Sequence, residues 1–234
     1  MVVAVAAALS NPTVASNHEL EEMTIVGSKE EARELAGTGS VIDREQISIE
    51  AASDINQLLK TVPGIYIQEE DGYGLRPNIG LRGSGSDRSS KVLIMEDGVL
   101  MAPAPYAAPA AYYFPVTGRM NAAEITKGPA TVKYGPNTTA GAVQLFSTPI
   151  PETASAHADI MVSDLGRQKV HAWAGTRFDA GAFDAGILLE TFQDTADGFK
   201  KLETGDTGFN IEDYVAKLGF YSKSGNQSLE LKFQ

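Results

Sequence analysis

The chain has 234 residues, 43% hydrophobic and 21% charged, with 23 glycines and 11 prolines. That is enough for one or two domains with a core, and it is turn-rich without being collagenous or low in complexity. A net charge of −11 argues against nucleic acid, and the absence of cysteine excludes disulfides, thiolate metal sites and cysteine nucleophiles. The three histidines, His18, His157 and His171, are too scattered to spell a zinc motif. No apolar run reaches the roughly 18 residues of a membrane helix, which leaves β-barrels open.

Residues 1–16 begin with the apolar run Val2 to Leu9, followed by Ser10-Asn11-Pro12 and small residues. The pattern predicts the remnant of a secretory signal, although no basic residue precedes the run. Within residues 17–30, Met23-Thr24-Ile25-Val26-Gly27 is a short β-prone segment set between acidic and polar neighbours. An isolated five-residue strand is expected to stay flexible or to add itself to another protein's sheet edge.

From 31 to 151 short strands and helices alternate. Gly39–Ile42 reads as a strand and Asp43–Ile47 as a helical turn. Ser53 reads as an N-cap for a helix carrying Ile55, Leu58, Leu59 and Val62, stopped by Pro63-Gly64. Ile65–Gln68 is a strand, and a loop from Glu69 to Asn78 leads to Ile79–Gly83. Val92–Met95 and Val99-Leu100 form a hairpin about Glu96-Asp97-Gly98. Pro103, Pro105 and Pro109 forbid a helix or central strand, so the stretch through Tyr106 is an irregular loop. Ala123–Lys127 and Ala142–Ser147 are strands, with a helical turn entered at Pro129 between them. This mixture predicts a small α+β domain. Residues 81–151 carry 6 basic and 4 acidic side chains, whereas both flanking regions are acidic. An anionic ligand is expected to touch there.

Residues 152–234 alternate. Ala158, Ile160 and Val162 share one face, as do Phe183, Ala185, Ile187 and Leu189. Tyr214, Ala216, Leu218 and Phe220 alternate with Asp213, Lys217 and Gly219, and Leu229, Leu231 and Phe233 with Ser228, Glu230 and Lys232. With a run near Lys169–Phe178 this makes about five strands in meander order. Turns are expected at Asp179–Gly181, Asp194–Gly198 and Ser222–Gln227. Periodicity alone fits a barrel wall or a soluble sandwich equally. Five strands cannot close, and an open edge is not tolerated in lipid, so most of the protein is expected to lie outside this chain.

Residues 20–234 resemble the N-terminal part of a TonB-dependent outer-membrane receptor. Met23–Gly27 resembles a TonB box, and "INQLLKTVPGIYI" (55–67) resembles the plug helix and its strand. "IGLRG" (79–83), "VLIMEDGV" (92–99) and "EITKGPATVKYGPNTTAGAVQLFS" (124–147) resemble further plug motifs in the family's order. "APAPYAAP" (102–109) resembles the ferric dicitrate receptor group.

The resemblance implies an α+β plug domain (31–151) followed by the first strands (152–234) of a transmembrane antiparallel β-barrel, 22-stranded in the family. Such receptors import a ferric siderophore or iron-citrate-like chelate, with no catalytic residues, no cofactor and no metal site of their own. The expected partners are TonB, the ferric chelate and outer-membrane lipid, without nucleic acid. The anionic cargo makes Arg76, Arg82 and Arg88 the cationic candidates, with Tyr106 stacking or donating a hydrogen bond. The family's plug–barrel latch pairs two plug arginines with barrel glutamates. Arg82 matches the first, and Lys127 stands at the second without the bidentate fork. The dicitrate group's glycine-glutamine pair is Ala107-Ala108 here, which removes an amide.

Each feature also has a plainer reading. Single arginines are more often solvated or structural than ligand-binding. Tyr112, Tyr113 and Phe114 fit packing. "GSGSDR" (83–88) lacks the ending of a phosphate loop. Trp173 and the strand tyrosines read as interface girdle or as ordinary strand residues. A secreted soluble β-rich binding or adhesion module is the alternative function. A hydrolase lacks a GxSxG motif and a histidine in context.

Overall fold

The computed structural model describes residues 3–5, 39–49, 55–70, 73–101, 108, 113–128, 139–203, 205–225 and 227–234. The first elements are β1 (Val3–Val5), β2 (Gly39–Ile42), α1 (Arg44–Ile49), α2 (Ile55–Lys60), β3 (Ile65–Gln68), β4 (Asn78–Leu81) and a 3₁₀ turn at Asp87–Ser89. Next come β5 (Val92–Glu96), β6 (Val99–Leu100), a 3₁₀ turn at Thr117–Arg119, β7 (Ala122–Lys127) and β8 (Gly141–Phe146). The last are β9 (Ser155–Val162), β10 (Gln168–Asp179), β11 (Phe183–Ala196), β12 (Lys201–Leu202), β13 (Gly205–Asp206), β14 (Phe209–Ser222) and β15 (Ser228–Phe233). They divide into two units, Ala15–Thr148, and Pro149–Gln234 together with Met1–Val14.

In the first unit a five-stranded sheet runs β2-β7-β8-β5-β6. All its pairs are antiparallel except β5 with β8. The apolar run of β5 does not alternate because it is covered on both faces. Val92 and Ile94 join the main core, while Leu93 and Met95 pack with Ala142 and Leu100. The main core collects one stripe of α2 (Ile55, Leu58, Leu59) and Ile79 and Leu81 of β4. The β5–β6 turn is Asp97-Gly98, both at positive φ (47° and 78°), the geometry that matches a hairpin's twist. Gly141 is forced to be glycine: an added Cβ would lie 2.0 Å from the Thr126 carbonyl oxygen. The expected N-cap Ser53 and the turn after Pro129 lie outside the described residues.

The second unit is a six-stranded sheet, β1-β9-β10-β11-β14-β15, antiparallel throughout, with β12–β13 as a separate small hairpin. Its alternation has an unusual sign. Ile160, Val162, Phe178, Phe183, Ile187, Leu189, Tyr214, Leu218, Phe220, Leu229, Leu231 and Phe233 all share one face and are exposed. The opposite face buries Lys169, His171, Glu190, Asp194, Asp213 and Lys217. A soluble sandwich would do the reverse. Along β11 the outward positions from Phe183 to Thr191 carry no charge. At about 3.3 Å per residue and a tilt of ~45° that run is about 19 Å tall, most of the roughly 25 Å apolar band of a lipid-facing wall.

One expectation is corrected. Asp194 belongs to a strand rather than a turn, because β11 continues to Ala196. Arg167 grips it with two hydrogen bonds, Nε to Oδ1 at 3.0 Å and Nη2 to Oδ2 at 2.8 Å. Of the two readings open for Trp173, the ordinary strand residue fits: it sits on the polar face opposite Glu190 and stacks against His157 at 6.1 Å.

Candidate functional site

The β3–β4 hairpin organises the candidate residues of the first unit. It pairs Ile65 with Leu81 at one end and Gln68 with Asn78 at the other. The four-residue strand separates those ends by roughly 10 Å.

At the Leu81 end, Arg82 turns the chain with φ of 50° and donates its backbone N–H to the Gly64 carbonyl at 2.9 Å. Beside it, Lys127 closes β7. Its Nζ donates to Ser40 Oγ and to the Pro63 carbonyl, both at 3.1 Å. Lys127 is 7% exposed. Burial, and then the neighbouring Arg82 cation, holds its ammonium pKa below the usual lysine value. A Cβ on Gly128 would come within 3.3 Å of Arg82 Nη1, so that glycine leaves room for the guanidinium. Arg82 and Lys127 thus stand together as two cations.

At the Asn78 end the backbone is fastened by short polar side chains. Asn78 Oδ1 accepts from the Arg88 N–H at 2.9 Å, and Asn78 Nδ2 donates to the Gln68 carbonyl at 3.2 Å. The buried Ser89 hydroxyl accepts from the Ile79 N–H at 2.9 Å and donates to the Pro77 carbonyl at 3.1 Å. These bonds hold Arg88 and Ser89 at φ of 47° and 54°. Non-glycine residues enter that region at a cost of about 1–2 kcal/mol each. Gly80 lets the loop close on the strand, since a Cβ there would lie 2.5 Å from the Gly85 carbonyl oxygen. The Pro77–Ser89 bond brings the chain at Arg76 beside Arg88, and both arginines are exposed.

The three candidate arginines therefore divide. Arg76 and Arg88 flank Asn78, while Arg82 stands at the other end of the hairpin with Lys127. Tyr106 and Met23, Thr24, Ile25, Val26 and Gly27 lie outside the described residues. Among the described residues no group of three His, Asp or Glu is placed to hold a metal ion, and no helix is long and apolar enough to cross a membrane.

Sequence reasoning missed a buried charge pair among the described residues of this unit. Arg119 Nη2 lies 2.8 Å from Glu96 Oε1, with both side chains essentially inaccessible. The partners stand 23 positions apart across a proline-rich stretch, so no local pattern marks them. Asp97 was also missed: its Oδ1 accepts from the Ser147 N–H at 2.9 Å, tying the hairpin turn to the end of β8.

Comparison with known proteins follows the same lines. Residues 31–142 match the family described as TonB-dependent Receptor Plug Domain. The vitamin B12 transporter BtuB of Vibrio vulnificus (strain CMCP6) is 28% identical over 195 residues, 82% of this chain and 29% of that protein. Among solved structures, the ferric yersiniabactin uptake receptor FyuA of Yersinia pestis superposes with a TM-score of 0.62 at 18% identity, covering 83% of this chain and 30% of that one. The ferric citrate transporter FecA in its unliganded form gives 0.51 at 22%, covering 84% and 33%. The chain thus spans about 29% of the length of the curated relatives it matches. Residues 31–142 thus form a TonB-dependent receptor plug domain, and the strands that follow, with their apolar face turned outward, share the fold of the first barrel strands of such receptors.

Proposed function

We propose that the protein takes up a metal chelate or vitamin across the outer membrane, energised by TonB through strand addition of Met23–Gly27. We further propose that its cargo is an anionic ferric chelate of siderophore or citrate type. The observation that carries the cargo reading is the pair of exposed arginines, Arg76 and Arg88, beside the fastened Asn78. Two guanidiniums on a fixed backbone suit carboxylate or hydroxamate oxygens, which they meet with paired donors. Tyr106 is assigned to the same cargo on the resemblance of its sequence, Ala102 to Pro109, to the ferric dicitrate receptor group. The metal travels as cargo, so the protein needs no cofactor of its own and performs no covalent chemistry. Arg82 and Lys127 take the latch role instead of the ligand role.

A second reading is cobalamin uptake, favoured by the similarity in sequence to vitamin B12 transporters. Titration of the full-length receptor with ferric dicitrate, a ferric hydroxamate and cyanocobalamin separates the two. The proposal expects a ferric chelate to bind. It also expects Arg76→Ala to weaken that binding by about tenfold or more, the scale of a lost hydrogen bond to a charged group. Binding of cyanocobalamin alone, or equal affinity in Arg76→Ala, sinks the cargo reading. Deleting Met23–Gly27 is expected to abolish uptake and spare binding; undiminished uptake sinks the coupling.

A further inference from the structure

Pro149–Gln234 holds three glycines whose presence the backbone does not explain. Gly175, Gly186 and Gly219 lie on the polar face of β10, β11 and β14, and none has a positive φ. Glycine in a strand weakens it, so each position invites a reason in space. Gly186 faces Gly219 directly across the β11–β14 ladder and Arg177 across the β10–β11 ladder. The three form one depression in the wall.

The occupants are visible. A Cβ at Gly175 would lie 2.7 Å from Pro151 Cδ, and one at Gly186 would lie 2.7 Å from Ile150 Cγ2. A Cβ at Gly219 would lie 2.4 Å from the Tyr221 hydroxyl, whose ring covers that glycine. Ile150, which belongs to no strand, is 2% exposed. Over this packing lies Arg177. Its guanidinium sits 3.8 Å from the centre of the Tyr221 ring, and its Nη1 is 3.9 Å from Glu152 Oε1. One arginine thus bridges the wall's aromatic cover and the segment that precedes the first long strand.

We propose that Gly175 and Gly186 are a seat moulded to the chain's own Ile150–Pro151–Glu152, that Gly219 makes room for the Tyr221 ring on which Arg177 rests to lock it, and that this joint fixes where the chain enters the barrel wall. The fit is specific in kind. Apolar Pro151 and Ile150 fill the spaces at Gly175 and Gly186, and the acidic Glu152 falls beside the Arg177 guanidinium. The joint also sets a limit: rearrangement of the preceding residues stops at Ile150.

These 234 residues contain no cysteine, so in a full-length receptor whose remaining sequence is also freed of cysteine the introduced thiols report without interference. In the full-length receptor in outer membranes, Ile150→Cys is expected to react with a maleimide at least about tenfold more slowly than Leu165→Cys, an exposed control. Adding Gly186→Leu or Arg177→Gln is expected to raise the Ile150→Cys rate toward the control; Arg177→Gln keeps the test usable if the leucine prevents folding. The pair Ile150→Cys/Gly186→Cys is expected to form a disulfide in high yield on mild oxidation, because the two Cβ positions are within bridging range. Labelling of Ile150→Cys at the control rate overturns the seat. Rates unmoved by either substitution overturn the roles of Gly186 and Arg177. Protection that disappears only in cells with active TonB overturns the fixed joint while leaving the proposed coupling standing.

Discussion

Val92 to Met95 of β5 are covered on both faces, whereas Ile187, Leu189 and Leu218 of the wall stand bare and their charged neighbours are covered. Both patterns follow from putting apolar surface where water is absent. In the first unit that place is a core between a sheet and helices. In the second it is the outside of the sheet. The difference teaches that burial alone is no measure of stability here. An exposed leucine is a liability on the plug and a necessity on the wall, and a buried charge must be judged by its partner.

The sharpest break in that comparison is Arg119. Replacing it with alanine strands Glu96 in the plug interior and is expected to cost about 3–5 kcal/mol. The double change Arg119→Met/Glu96→Leu is expected to cost much less, because neither charge is then left alone. Denaturant unfolding of the three full-length proteins checks both. Nearly as large is Leu189→Arg. On a lipid-facing surface it is expected to cost about 2–4 kcal/mol, whereas Tyr66→Arg at an equally exposed plug position stays within about 0.5 kcal/mol. Unfolding from bilayers measures the contrast, and equal costs would remove the distinction between the two surfaces. The smallest effect is pH-dependent. Lys127 has its folded pKa below the ordinary 10.5, so the unfolded chain binds the extra proton. Its contribution therefore becomes more favourable as pH rises from the folded pKa to 10.5. Lys127→Met is expected to lose that rise, seen as the difference between the two unfolding midpoints across this range.

What the sequence made legible was local and periodic. The α2 stripe, the β5–β6 hairpin and the alternation of the long strands β9, β10, β11, β14 and β15 each declare themselves within about a dozen residues, although alternation alone does not say which face meets water. Asp194 misled because Asp-Thr-Ala-Asp-Gly has turn composition, while the arginine that keeps it in the ladder stands in the β9–β10 turn. Arg119 and Glu96 were silent for the same reason. The candidate arginines were found by charge and motif, but their division into two sites depends on which end of β4 each occupies. That is a matter of register, and single residues do not encode it. Ser89, whose hydroxyl fastens the loop, reads from the sequence only as one polar residue among several.

That fastened loop has a consequence for selectivity. Two adjacent side-chain-bearing residues, Arg88 and Ser89, keep a left-handed backbone against their preference, held by bonds that any shift of the loop would break. A surface made this way has little give. On the proposed cargo reading it would discriminate by refusing molecules of the wrong outline rather than by moulding itself to them.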